Sequence, residues 1–353
     1  MLAALLTTGF FAATAVFARR AALALGATAA NCWRLALAAV LLGAWSLFFG
    51  HGFGAAFGWF FASGLVGFGL GGLLLFQALP RAGANLANLT VQCGAAVVAL
   101  AAEWVWLGVP VPTAKLVCCA AILGGVVLGL APRSFPQFAP RALLLGAALA
   151  ACSAVGQGVG QVLSRKAFAV LRAEGVKADP GTVTFERVLA GLLVAVVALA
   201  VARWWHRASA ADTEVGGECG LRNADCGMAD GDPDRITGAG GTGCPIGDRQ
   251  SEVDNADSSG PALGTPHSAF RNAWPWVLLN TLTGPVLGVT CLQWALSQPQ
   301  WPAGVTQSIV ATAPLLTAPL AWKLGEDLPR GRYFAGALLA VAGTVSLFWP
   351  WWR

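Results

Sequence analysis

Runs of about twenty apolar residues, cut apart by prolines, glycines and isolated basic residues, constrain this chain more than any other feature. A helix needs roughly that many residues to cross a hydrocarbon core about 30 Å thick. Segments of suitable length fall at 2–18, 29–49, 55–79, 82–107, 113–131, 142–168, 183–204, 273–297, 300–324 and 331–350. None alternates apolar and polar residues as the strands of an outer-membrane barrel do. The expectation is an all-α integral membrane protein with ten transmembrane helices. Composition agrees, with 56% hydrophobic and 11% charged residues, where a soluble domain carries about a quarter charged. Trp104, Trp106, Trp204, Trp274, Trp276, Trp301, Trp322 and Trp349 stand near predicted ends. An indole favours the headgroup layer, where its ring is partly shielded and its N–H finds a partner.

Residues 205–272 break the pattern. They hold 11 of the 17 acidic residues and almost no large apolar side chains, so a disordered polar insertion is expected there. The remaining body is basic at its helix ends, which suits anionic headgroups better than nucleic acid. Met1 to Ala18 lacks a positive leader and is read as a retained first helix. Cys32, Cys93, Cys118, Cys119, Cys152 and Cys291 lie in apolar stretches as small hydrophobes. Cys219, Cys226 and Cys244 lack the spacing of a metal site. No cofactor or metal is expected. With three histidines, none inside a predicted helix, acid–base or metal catalysis has little to work with.

The two halves of the chain echo each other. A-R-R-A (18–21) answers S-R-K-A (164–167), and C-W-R-L-A-L (32–37) answers F-E-R-V-L-A (185–190). F-Q-A-L (76–79) answers Q-W-A-L (293–296), and a shift of 217 residues maps Leu107, Gly108 and Lys115 onto Leu324, Gly325 and Arg332. Five helices per half is an odd number, so the second half enters the membrane in the opposite sense, as two inverted five-helix repeats. The first repeat is placed at 1–131, the start of the second at 132–204, the insertion at 205–272, and the rest of the second at 273–353. The pairs Gly67/Gly71, Gly125/Gly129, Gly156/Gly160 and Gly284/Gly288 place small residues one turn apart for close helix packing.

This pattern resembles the EamA-type transporters of the drug/metabolite transporter superfamily. The resemblance rests on Arg34 and Arg187 opening the second helix of each half, and on the A-L closing the third. It also rests on Pro302 to Phe348, where P-A-G-V, A-P-L-L and L-G-E-D-L-P precede a Gly-rich last helix. In the first half Val109 stands where the second has Glu326, and no proline answers Pro314. The resemblance implies a ten-helix carrier of metabolites with both termini in the cytoplasm. The basic residues in short loops count six on that side and eight on the other, which runs mildly against it.

Two helices carry polar stripes. Asn85, Gln92 and Glu103 lie within about 20° on one helical face with Asn88 beside them, and Ser153, Gln157, Gln161 and Ser164 share about 80° of arc on another. Gln293, Trp294 and Gln307 are further candidates for solute binding, and Gln77 is a lesser one. Amides facing lipid would be unpaired, so the stripes either line a solute cavity or bond between helices. Glu103 either meets a cationic group or proton, or sits among headgroups between Trp104 and Trp106; the second reading is preferred. Arg34 and Arg187 either meet an anion or snorkel to headgroups, and snorkelling is preferred.

These features lead to the expectation of a secondary transporter in a bacterial-type inner membrane, exporting a small amino-acid-like or mixed polar–apolar metabolite. Its partners are that solute, membrane lipids and a second copy in a homodimer, with no nucleic acid. No G-x-x-x-x-G-K-[ST] motif is present. A flippase for a lipid-linked intermediate is the alternative; a membrane-embedded enzyme or a scaffold ranks lower.

Overall fold

A computed structural model of the chain describes residues 2–50, 54, 56–82, 84–130, 140–220, 266–323 and 331–348. Helices are numbered in chain order, with consecutive turns joined: α1 Leu2–Leu25, α2 Ala27–Phe49, α3 57–82, α4 Ala84–Leu107, α5 Thr113–Leu130, α6 Pro140–Ala173, α7 Pro180–Gly220, α8 266–297, α9 303–323 and α10 Gly331–Phe348. There is no strand among the described residues. Among the described residues seven helical runs are long and apolar enough to cross a membrane, and Leu2–Ala18 and Gly331–Leu347 are shorter apolar helices. The run from 303 is interrupted at Ala311 and Thr312.

The outward faces explain why these helices need lipid. Leu47, Phe48, Val105, Leu144 and Leu338 are each more than 70% exposed, a density of apolar surface that a water-soluble monomer does not carry.

Residues 1–199 and 272–353 form one compact unit and 200–271 a second. Of the 205–272 insertion, the described residues are helical, to Gly220 and from Pro266. Ala208, Ala210 and Ala211 are strong helix formers that extend the register of α7. Residues 221–265 lie outside the described residues, as do Cys226, Cys244, Glu326 and Asp327.

The glycine pairs act together. A Cβ on Gly160 of α6 would lie 3.0 Å from the Gly67 Cα of α3, and one on Gly156 would lie 3.3 Å from the Gly71 Cα. Two small-residue stripes therefore meet backbone to backbone. Gly125 of α5 packs in the same way on α10, its Cβ position 2.6 Å from the Ala340 nitrogen. Close approach supplies the dispersion contacts that must replace a hydrophobic drive inside lipid. Gly284 and Gly288 of α8 instead take Thr14 and Phe11 of α1.

Among the described residues two helices contain a widened π-turn, Leu65–Leu70 in α3 and Leu282–Gly288 in α8. Their first residues are 217 apart, the offset of the sequence repeat. Each turn faces an arginine of another helix. The Gly67 Cβ position is 3.6 Å from Arg187 Nη2, and that of Gly284 is 3.7 Å from Arg34 Nη1.

Candidate functional site

Long side chains from α4, α6 and α9 meet in the interior. Gln161 Nε2 donates to Gln307 Oε1 at 2.8 Å, and Gln307 Nε2 donates to Gln92 Oε1 at 2.9 Å. Gln161 and Gln307 are buried. Each amide offers two donors and an acceptor oxygen, so a relay of three leaves capacity unused. Gln161 Oε1 is one such atom, buried with no partner among the described residues. Gln293 of α8 is 0% exposed, with neither Oε1 nor Nε2 partnered.

The polar stripes are thus partly assembled and partly dispersed. Gln157 reaches only Ser153, Nε2 to Oγ at 3.5 Å, and its chain packs toward Gly71. Asn88 is half-buried on α4, and the side chain of Asn85 lies outside the described residues. Trp294, one residue from the buried Gln293, turns outward and lines an open cavity of about 520 Å³ with Arg172, Lys177, Phe168 and Pro180. Gln77 is exposed and accepts from Arg81 Nη1 at 3.0 Å, so it faces away from the interior.

Glu103 departs from the headgroup reading. It is 0% exposed, Arg165 Nε stands 2.5 Å from its Oε1, and its Oε2 accepts the Ala303 N–H at 2.6 Å. A carboxylate at the start of α9 satisfies a free amide of the first turn and meets the positive end of the helix dipole. Arg165 then gathers the turn before α9, donating from Nη1 to the Gln298 carbonyl at 3.1 Å and from Nη2 to the Pro299 carbonyl at 2.7 Å. The partner was not visible in the sequence because α6 runs to Ala173, which sets Arg165 inside the helix instead of at its end.

Arg34 and Arg187 also depart from expectation. Arg187 is 3% exposed, with its guanidinium 5.1 Å from the Phe68 ring and Nε and Nη1 unpartnered among the described residues. Gly67 lies well along α3, counting from residue 57 about 15 Å of helix, so the side chain points inward and does not snorkel. Arg34 Nη2 donates to Asn31 Oδ1 at 2.7 Å, and its Nε is buried and unpartnered. Gly67 and Gly284 stand beside these guanidinium groups, a Cβ at either falling 3.6 to 3.7 Å away; composition alone did not reveal it.

Apolar outer faces around a polar interior define a multi-pass integral membrane protein. Residues 1–130 match the model of the EamA-like transporter family, which is consistent with an EamA-type transporter of the drug/metabolite transporter superfamily. No curated protein matches the chain. A solved structure described only as "Crystal structure of protein" is similar over 98% of this chain and 96% of its own, with a TM-score of 0.60 and 17% identity. That likeness concerns the fold.

Proposed function

We propose that the chain is a secondary transporter of ten transmembrane helices in two inverted five-helix halves. They rock about a central site to export a small, mixed polar–apolar metabolite across a bacterial-type inner membrane. The observation that carries this reading is the amide relay, which joins α4 of the first half to α6 and α9 of the second. A solute lying between halves needs polar groups from both, with hydrogen-bonding capacity to spare.

Pseudo-symmetry supports the inverted arrangement. The π-turns of α3 and α8 correspond, and so do the arginines that face them. Thr14 and Gly160, which flank Gly284 and Gly67, are related by the same 146-residue shift that maps A-R-R-A onto S-R-K-A.

The test is uptake of a radiolabelled metabolite panel into proteoliposomes, with and without a pH gradient. At least one solute should be moved, and Gln307→Ala should cut its flux at least tenfold while the protein remains folded. Absence of flux for every solute, or full flux in Gln307→Ala and Gln92→Ala alike, would overturn the proposal.

A further inference from the structure

Three features lie in order along α7. Pro180 lines the open cavity, Val183 belongs to an apolar cluster with Phe60, Phe168, Leu292 and Leu296, and Arg187 follows with its buried, unpartnered guanidinium. Spacings of three and four residues put all three on one helical face, spread over about 60°. A line drawn inward along that face runs from a basic mouth, through an apolar constriction closed by the Phe60–Phe168 edge contact at 5.1 Å, to a buried cation. The cavity is lined by Arg172 and Lys177 and by no acid.

A guanidinium is always charged, and burial without an anion is strongly unfavourable. Among the described residues nothing neutralises Arg187. Its surroundings include the Phe68 ring, and Gly67 presents no side chain toward its Nη2, a Cβ there falling 3.6 Å away. One cation in an apolar setting balances one negative charge. A phosphate dianion would leave a buried excess, whereas a carboxylate would leave none.

We infer that the solute is a monocarboxylate, drawn to the mouth by Arg172 and Lys177 and held by Arg187 inside the Phe60–Phe168 constriction. This rests on the transporter reading and adds the substrate class. The mouth raises the local concentration of anions, the phenylalanines exclude water, and the unpartnered N–H groups of Arg187 receive the carboxylate.

The experiment uses the full-length protein in phosphatidylcholine nanodiscs and reads the thermal midpoint at constant ionic strength. The probes are matched pairs: acetate and acetamide, 3-phenylpropionate and its amide, N-acetylalanine and its amide. At least one carboxylate should raise the midpoint by several degrees where its amide does not. Arg187→Gln should abolish that shift and Arg187→Lys should keep part of it. Should neither variant fold, Arg172→Gln with Lys177→Gln supplies the reading: half-saturation should move at least threefold higher with the full shift still reached. The inference falls if amides act as carboxylates do, if no carboxylate acts, or if Arg187→Gln keeps the full shift. It falls equally if a shift appears only on adding phosphatidylglycerol, which would make a lipid headgroup the anion. Flux of neutral solutes without carboxylate binding would leave the transporter standing and remove this inference alone. Carboxylate binding without any flux would remove the transporter reading and leave a carboxylate-binding site at Arg187 without a transported solute.

Discussion

Arg187 and Arg34 occupy related places in very different company. Where α7 meets α3, Gly64 lets the backbones approach until a Cβ there would strike the Arg187 carbonyl. Where α2 meets α8, the residue 217 positions on is Thr281, whose hydroxyl donates to the Arg34 carbonyl at 3.4 Å and to its own helix at 2.8 Å. The first arginine is 3% exposed; the second is partly exposed and leans on Asn31. Between α4 and α6, Glu103 and Arg165 fasten the turn before α9. The 217 shift carries Glu103 to Leu320, so the repeat does not supply that carboxylate a second time. At corresponding positions a glycine leaves one helix against the arginine backbone with no side chain between them, while a threonine hydroxyl bridges the other.

The largest test of this contrast is Gly64→Val, which drives a side chain into the α7 backbone. It should cost about 3 kcal/mol or more and deplete the monodisperse peak in fluorescence-detected size exclusion. Thr281→Val removes only hydroxyl bonds and should cost about 1 kcal/mol; equal losses for the two would end the comparison.

Of comparable size is the fastening. Glu103→Ala or Arg165→Ala leaves an unpaired buried charge and should each cost about 3–5 kcal/mol. The double variant should cost clearly less than their sum in a thermal double-mutant cycle, and simple additivity would show that the pair is not coupled.

Small as well is Gln307→Ala, which deletes two interhelical bonds worth about 0.6 kcal/mol each. It should barely move the unfolding midpoint even where flux collapses. A midpoint loss as large as that of Arg165→Ala would make the relay a structural clamp.

Much of the body was legible because lipid imposes a length. The segment expected at 113–131 appears as Thr113–Leu130, and that at 29–49 as Ala27–Phe49. The glycine stripes were legible too, since spacing alone puts Gly156 and Gly160 on one face; that they meet Gly71 and Gly67 was not, because spacing names no partner. Gln92, Gln161 and Gln307 were read as polar positions, yet their convergence depends on how α4, α6 and α9 cross. The Glu103–Arg165 pair escaped because its residues are far apart in the chain and an α6 expected to stop at 168 set Arg165 at a helix end. The π-turns escaped because only glycines and Pro285 mark them.

Those widened turns have a mechanical consequence. A π-turn stores one residue more than an α-turn needs, and the surplus can be passed along the helix axis. Every stretch it traverses rotates by about 100° while the helix ends stay anchored. In α3 the stretch beside the surplus is the one that borders Arg187, so the chain can re-aim the wall next to its buried cation without dragging a whole helix through the bilayer.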